Sequence, residues 1–203
     1  MYKVFKQVIP QETLVYLQDW TLFTKEICEF YRGKPKANGS GVYWQGLDMA
    51  SQCPLTTEQQ NKKLFEVYTS QWMYDLVSQH IPKPYLFNDQ IVVKLPGEQF
   101  NFSPHRDNQF GPLPDDANLV TQNFTLVLDD FTQENGALQV WENKQWHTLL
   151  PKAGDIIMIE GNTIHKSAAN NSDKPRRVYI CHYTDRPIGE SFQKGFYNQP
   201  FIR

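Results

Sequence analysis

Phe124-Thr125-Leu126-Val127-Leu128, Ala137-Leu138-Gln139-Val140-Trp141 and Ile156-Ile157-Met158-Ile159 are three short apolar runs, rich in β-branched and aromatic residues. Each is too short for a buried helix. Each is bounded by turn-forming residues, Glu134-Asn135-Gly136 between the first two and Ala153-Gly154-Asp155 before the third. Runs of this kind read as strands. Asn143-Lys144, between Val140-Trp141 and Trp146-His147, reads as a tight hairpin turn. Working outward, Tyr85 to Leu95 adds a strand centred on Ile91-Val92-Val93, and Arg177 to Tyr183 adds another. Many short strands at close spacing predict a sandwich or barrel.

Upstream the period changes. Gln11 to Tyr31 carries Leu14, Leu17, Phe23, Ile27 and Phe30 on one helical face, with Pro10 at its first turn and Gly33 and Pro35 beyond its end. A second helix is predicted over about 57–80, with Leu64, Val67, Trp72, Leu76 and Ile81 as its apolar side. Thr56 or Thr57 is its expected N-cap and Pro82 its stop. The fold class is therefore mainly β with flanking N-terminal helices, which are expected on one outer face of a sheet. No repeat, low-complexity tract or linker divides the chain. The expected organisation is a single domain over 1–203: a mostly helical flank over 1–83, a β core over 84–185 and a tail over 186–203.

Lys plus Arg number 20 against 22 Asp plus Glu, a net charge of −2 that gives no electrostatic footprint for nucleic acid or an anionic membrane. Cys28, Cys53 and Cys181 show no CxxC spacing, so neither a disulfide framework nor a thiolate zinc site is indicated. A reducing compartment is the default. The first residues lack the apolar segment of a signal peptide, and no apolar run approaches the roughly 20 residues that span a bilayer. The expectation is a cytoplasmic protein with a small-molecule substrate and neither nucleic acid nor membrane as partner.

Chemistry is suggested by Ser103-Pro104-His105-Arg106-Asp107. On an extended strand residues i and i+2 face the same side, so an imidazole and a carboxylate can reach one metal. A third ligand must come from elsewhere in the fold. Two histidines and one carboxylate leave three positions open, the arrangement of non-haem Fe(II) oxygenases. His-x-Asp alone is a weak signal, equally at home in a solvated turn. Its support lies downstream: the turn and apolar strand of 153–159, a short loop to His165, a polar loop over 170–174, and Arg176 at the start of a β-rich run.

This layout resembles the phytanoyl-CoA dioxygenase family of Fe(II)/2-oxoglutarate oxygenases. The matching text is Val93-Lys94-Leu95-Pro96-Gly97, Pro104-His105-Arg106-Asp107, the run from Leu128 through Asn135-Gly136-Ala137-Leu138, Ala153-Gly154-Asp155, and His165-Lys166-Ser167 with Asn170 and Arg176. It covers roughly Tyr85 to Tyr183. The resemblance implies a double-stranded β-helix, or jelly roll, with Fe(II), 2-oxoglutarate as cosubstrate, and O2. It implies that His105, Asp107 and His165 ligate iron and that Arg176 pairs with the distal carboxylate of 2-oxoglutarate. Guanidinium offers parallel donors that match a carboxylate. Ser167, Lys94 and Thr125 fall at further cosubstrate positions. The implied reaction is hydroxylation with release of succinate and CO2. Halogenases of this kind replace the acid by a small residue, and Asp107 is present. The tight turn at Trp141–Trp146 shortens a segment that is longer in the family, so no substrate preference is inherited; compactness and polar candidates point to a small polar metabolite.

Other residues are read less singly. His80 and His147 read as capping or surface residues. His182 reads as a satisfied core histidine, with a place in the barrel near the cosubstrate as the alternative. Arg177 should face away from Arg176, towards solvent. Trp44, Gln45 and Asp48 either contact substrate or pin their loop. Arg106, Gln109 and Asn123 either line a polar substrate pocket or form a hydrated rim. The competing function is a non-catalytic or differently reacting cupin-like metal-binding protein. Cupins cluster His-x-His with a nearby Glu, which this chain lacks.

Overall fold

A computed structural model describes residues 1–32, 42–44, 63, 65–109, 118–188 and 199–201. Two antiparallel sheets face each other. The larger has the order β1 (Tyr2–Phe5), β8 (Ile156–Glu160), β5 (Thr121–Val127), β10 (Arg176–Thr184), β3 (Tyr85–Lys94), β11 (Gln199–Pro200), and β2 (Val42–Trp44) also pairs with β3. The smaller has the order β4 (Phe102–His105), β9 (His165–Ser167), β6 (Leu138–Glu142), β7 (Gln145–Thr148). Non-consecutive neighbours in both sheets are the mark of a jelly roll. Asn143 and Lys144 join β6 to β7 with φ of 52° and 64°, the left-handed pair of a type I′ turn that matches strand twist.

The larger sheet is apolar on both faces, and the faces do different work. Leu86, Ile91, Val93, Phe124, Leu126, Tyr179, Cys181 and Tyr183 pack against the helices. Val92, Val127, Ile157, Ile159 and Val178 fill the space between the sheets with Val140 of the smaller sheet. Helix α1 (Gln11–Arg32) buries Leu14, Leu17 and Trp20 and packs on β3 and β10. This is the expected helical layer on one outer face.

The N-terminal flank departs from the helical expectation in two places. Tyr2–Phe5 is a strand, paired with Ile156–Ile159 at the edge of the larger sheet. The second helix is not continuous over its described part. Ser70 is extended at φ −63°, ψ 154°, and its hydroxyl accepts from Met73 N–H, so it caps a new helix, α2 (Gln71–Val77). The side-chain oxygen satisfies a first-turn donor, and the local cap wins over an apolar period that runs through it. Thr56 and Thr57 lie outside the described residues. Among the described residues, no helix is long and apolar enough to cross a membrane.

Candidate active site

The candidate ligands come from the smaller sheet and the turn that leaves it. β4 ends at His105, β9 begins at His165, and the two are register partners with ring centroids 4.2 Å apart. Asp107 is not on a strand as expected. The chain turns at Arg106, and Asp107 opens the 3-10 turn Asp107–Gln109. The carboxylate still meets both rings: the three ligand atoms lie within 4.8 Å of one another, and His165 Nε2 is 3.5 Å from Asp107 Oδ1.

Gly161 explains why these segments converge. Asn108 N–H donates to Gly161 O at 3.1 Å, and Gly161 N–H donates to Thr121 O at 2.9 Å. The Thr121 hydroxyl closes the triangle by donating to Asn108 Oδ1. A Cβ at position 161 would run into Thr121 Oγ1 and Asn108 Oδ1. Only glycine lets the 107–109 turn, the start of β5 and the loop before His165 approach this closely.

Both rings are held in one tautomer. His105 Nδ1 lies 2.7 Å from Ser103 O, and His165 Nδ1 lies 3.0 Å from Thr163 O. A carbonyl only accepts, so each Nδ1 carries the proton and each Nε2 keeps a lone pair, as metal-ligating imidazoles require. Burial and then His165 lower the His105 pKa, which favours the neutral ring. Asn123 Nδ2 donates to Asp107 Oδ2 at 3.1 Å, and the Thr125 hydroxyl donates to Asn123 Oδ1 at 2.7 Å. Asn123 and Thr125 thus form a relay that orients the carboxylate from β5.

The same interior holds two buried bases. Arg176 and Lys94 are register partners on β10 and β3, 4% and 0% exposed. Arg176 places Cζ 5.0 Å from the centroid of Phe131, and its Nε has no hydrogen-bond partner among the described residues. Burial lowers its pKa to about 10, opposed by Asp129. Lys94 donates to Ser167 Oγ at 2.9 Å and to Ala168 O. Burial, and then Arg176, lower its pKa to about 6 against the pull of Glu98. Adjacent bases with an orphaned guanidinium nitrogen in a dry interior call for an anion. The donor chemistry fits both groups that the family resemblance implies: Fe(II) at the triad and a carboxylate at the bases.

Other candidates separate. Arg177 does face away from Arg176, but it is mostly covered rather than open to solvent. It makes a bidentate pair with Asp129, Nε to Oδ2 at 2.8 Å and Nη2 to Oδ1 at 2.7 Å, and donates to Gln18 O on α1 at 2.7 Å. Arg106 is exposed, and Gln109 folds back to accept from Arg106 N–H at 3.3 Å, so both belong to the rim. His147 is tied to its hairpin through Glu142 O at 3.2 Å, and His80, half-buried, lies edge-on to Phe5. His182 is not a satisfied core residue: its Nε2 is buried without a partner among the described residues. Trp44 lies on β2 opposite Gln90, while Gln45 and Asp48 lie outside the described residues. Sequence reasoning missed Phe131, Asn108 and Gly161. Of these only Gly161, a glycine beside the loop to His165, left a readable signal.

Two facing sheets, with two imidazoles, a carboxylate and paired bases between them, define the class: a jelly roll carrying the donor set of non-haem Fe(II) oxygenases. Within that class the chain belongs to the phytanoyl-CoA dioxygenase (PhyH) family, whose profile matches residues 24–143 and 140–178. Dioxygenase andF of Emericella variicolor is 28% identical over 145 residues, 59% of this chain and 50% of that protein. A phytanoyl-CoA dioxygenase of Arabidopsis thaliana is 26% identical over 131 residues, 51% of this chain and 45% of that one. The chain therefore spans about half the length of these curated relatives. The fold is shared with EctD from S. alaskensis in its apo form, at a TM-score of 0.71 and 15% identity over 98% of this chain and 80% of that one. It is also shared with the α-ketoglutarate-dependent carbocyclase SnoK from nogalamycin biosynthesis, at 0.69 and 16% over 92% and 80%.

Proposed function

We propose that this chain is an Fe(II)- and 2-oxoglutarate-dependent dioxygenase that hydroxylates a small polar metabolite and releases succinate and CO2. The single observation that carries this reading is the coexistence, in one interior, of a 2-His-1-carboxylate cluster with both Nδ1 atoms already engaged and a buried Arg176 whose Nε lacks a partner. His105, Asp107 and His165 hold the metal through Nε2, a carboxylate oxygen and Nε2. Arg176 takes the distal carboxylate of the cosubstrate. Lys94 and Ser167 stand beside it, and Thr125 acts through Asn123. When bound, iron, 2-oxoglutarate and O2 supply oxidative decarboxylation and the delivery of oxygen to a C–H bond.

The chain's own contribution is ligation, orientation and exclusion of water. Asn123 fixes the rotation of the Asp107 carboxylate. The apolar residues between the sheets, Val127, Val178 and Ile157 among them, keep the interior dry and so strengthen every charge interaction inside it. An acid at position 107 favours hydroxylation, or another oxidation of a C–H bond, over halogenation. EctD from S. alaskensis has been seen with 2-oxoglutarate and 5-hydroxyectoine, and the polar rim of Arg106 and Gln109 suits a small polar substrate.

The test is substrate-stimulated succinate formation across a panel of small polar metabolites, with Arg176→Ala as control. The variant should bind 2-oxoglutarate about thirtyfold or more weakly, because truncating one partner of a buried charge pair costs about 2 kcal/mol or more. Iron binding should be retained. Unchanged succinate formation would count against the assignment.

A further inference from the structure

β10 alternates cleanly. Tyr179, Cys181 and Tyr183 pack on the helix side of the larger sheet, whereas Val178 and Ile180 pack between the sheets. Successive side chains of a strand point to opposite faces, so Arg176 opens the inward row and His182 and Thr184 lie at its far end. Two apolar side chains, Val178 and Ile180, separate the two bases of this row.

His182 stands at the triad end of that row. Its partner on β5 is Asn123, whose amide donates to Asp107 Oδ2 at 3.1 Å. Burial lowers the His182 pKa. Asp107 acts on the ring in the opposite sense and His165 in the same sense, so both candidate ligands are within its electrostatic reach. Nε2 is buried and has no hydrogen-bond partner.

The aim of this ring is built into the fold. His182 pairs with Asn88 and Tyr183 with Leu86, so the register slips and Phe87 forms a bulge in β3. The Tyr68 hydroxyl donates to His182 O at 2.7 Å and accepts from Phe87 N–H at 3.3 Å, which clamps both strands at the slip. The Tyr183 hydroxyl in turn donates to Tyr68 O at 2.9 Å. Bulges beside active sites re-aim side chains, and two buried tyrosines hold this one in place.

We propose that His182 is a further cosubstrate-binding residue, whose Nε2–H donates to the metal-chelating carboxylate of 2-oxoglutarate, at the end of the molecule opposite to that held by Arg176. This role presupposes the iron and cosubstrate binding proposed above. A group that reaches both Nε2 and the triad must itself sit against the metal. The chelating carboxylate does so, and a non-coordinating substrate does not. A neutral imidazole has one N–H to give, and a carboxylate only accepts. The hydrogen bond is charge-assisted, hence stronger than a neutral one.

Anaerobic titration of the Fe(II)-loaded protein with 2-oxoglutarate, read by the visible charge-transfer band of the chelated keto acid, tests this. Wild type should show the band. His182→Phe should bind 2-oxoglutarate about tenfold more weakly with the band displaced, while Fe(II) affinity stays within about twofold of wild type. His182→Gln, which keeps an N–H donor, should recover part of the loss. His182→Ala carries the same expectation as phenylalanine if that variant does not fold. No band in wild type would sink the oxygenase reading itself. A wild-type band with His182→Phe or His182→Ala unchanged in affinity and band position would overturn the His182 role alone. So would loss of iron binding in these variants, which would make the ring a support of the metal site.

Discussion

Replacing Lys94 by methionine measures what it costs to hold a base in a dry interior. The amine's ordinary pKa of 10.5 falls to about 6 in the folded chain, through burial first and Arg176 second. Between those two values the folded, ligand-free protein holds Lys94 neutral while the unfolded chain keeps the proton. Unfolding then takes up one proton. Stability rises with pH from this side chain alone by about 1.4 kcal/mol per pH unit. From about pH 6.5 to about pH 8.5 the gain is about 2.7 kcal/mol. Lys94→Met keeps much of the length and removes the titration, so its stability should rise less steeply by that slope. The slope is the quantity to compare, since the absolute stability also loses the bonds to Ser167 and Ala168. Urea denaturation of metal-free protein across this range, analysed as a two-state transition, gives the two curves. Curves parallel to within about 0.5 kcal/mol, the usual scatter of mutational additivity, would refute the claim that burial keeps this amine neutral. With metal and 2-oxoglutarate present, the dianion should restore the proton and shrink the difference.

Asn123→Ala removes the donor to Asp107 Oδ2 and should weaken metal binding about 10- to 100-fold, as read by Fe(II) titration. Gly161→Ala forces a methyl group into Thr121 and Asn108. It should cost about 1–3 kcal/mol in denaturation and weaken metal binding as well, because the same contact joins Asp107 to the loop before His165. Arg177→Ala breaks a mostly buried bidentate pair with Asp129. It should cost about 3–5 kcal/mol of stability while leaving 2-oxoglutarate affinity in the surviving folded fraction unchanged, the reverse of Arg176→Ala.

The strands of the core were legible because their sequences are unambiguous. Ile91-Val92-Val93 and Ile156–Ile159 are β-branched, short and closed by turn residues, and Asn143-Lys144 sits where a two-residue turn needs left-handed φ. Tyr2–Phe5 was not legible, because four residues of mixed character carry no period. They become a strand only by pairing with the edge of β8. The break at Ser70 was hidden because apolar spacing runs on through it. Triad membership could be read by resemblance, but the turn that carries Asp107 could not, since His-x-Asp fits an extended strand equally well. Arg177 looked solvent-facing because its partner Asp129 is close only across the sheet register. His182 could be placed on the inward face by parity with Arg176. The absence of a partner for its Nε2 among the described residues depends on the tertiary fold and has no sequence signature.

Anaerobic Fe(II) titration of wild type against Asp107→Ala, with bound iron counted directly, goes to the central claim. Convergence of His105, Asp107 and His165 on one ion predicts a single Fe(II) per chain in wild type and affinity at least about 100-fold lower in the variant. Wild-type affinity in Asp107→Ala, or no iron bound by wild type, would contradict it.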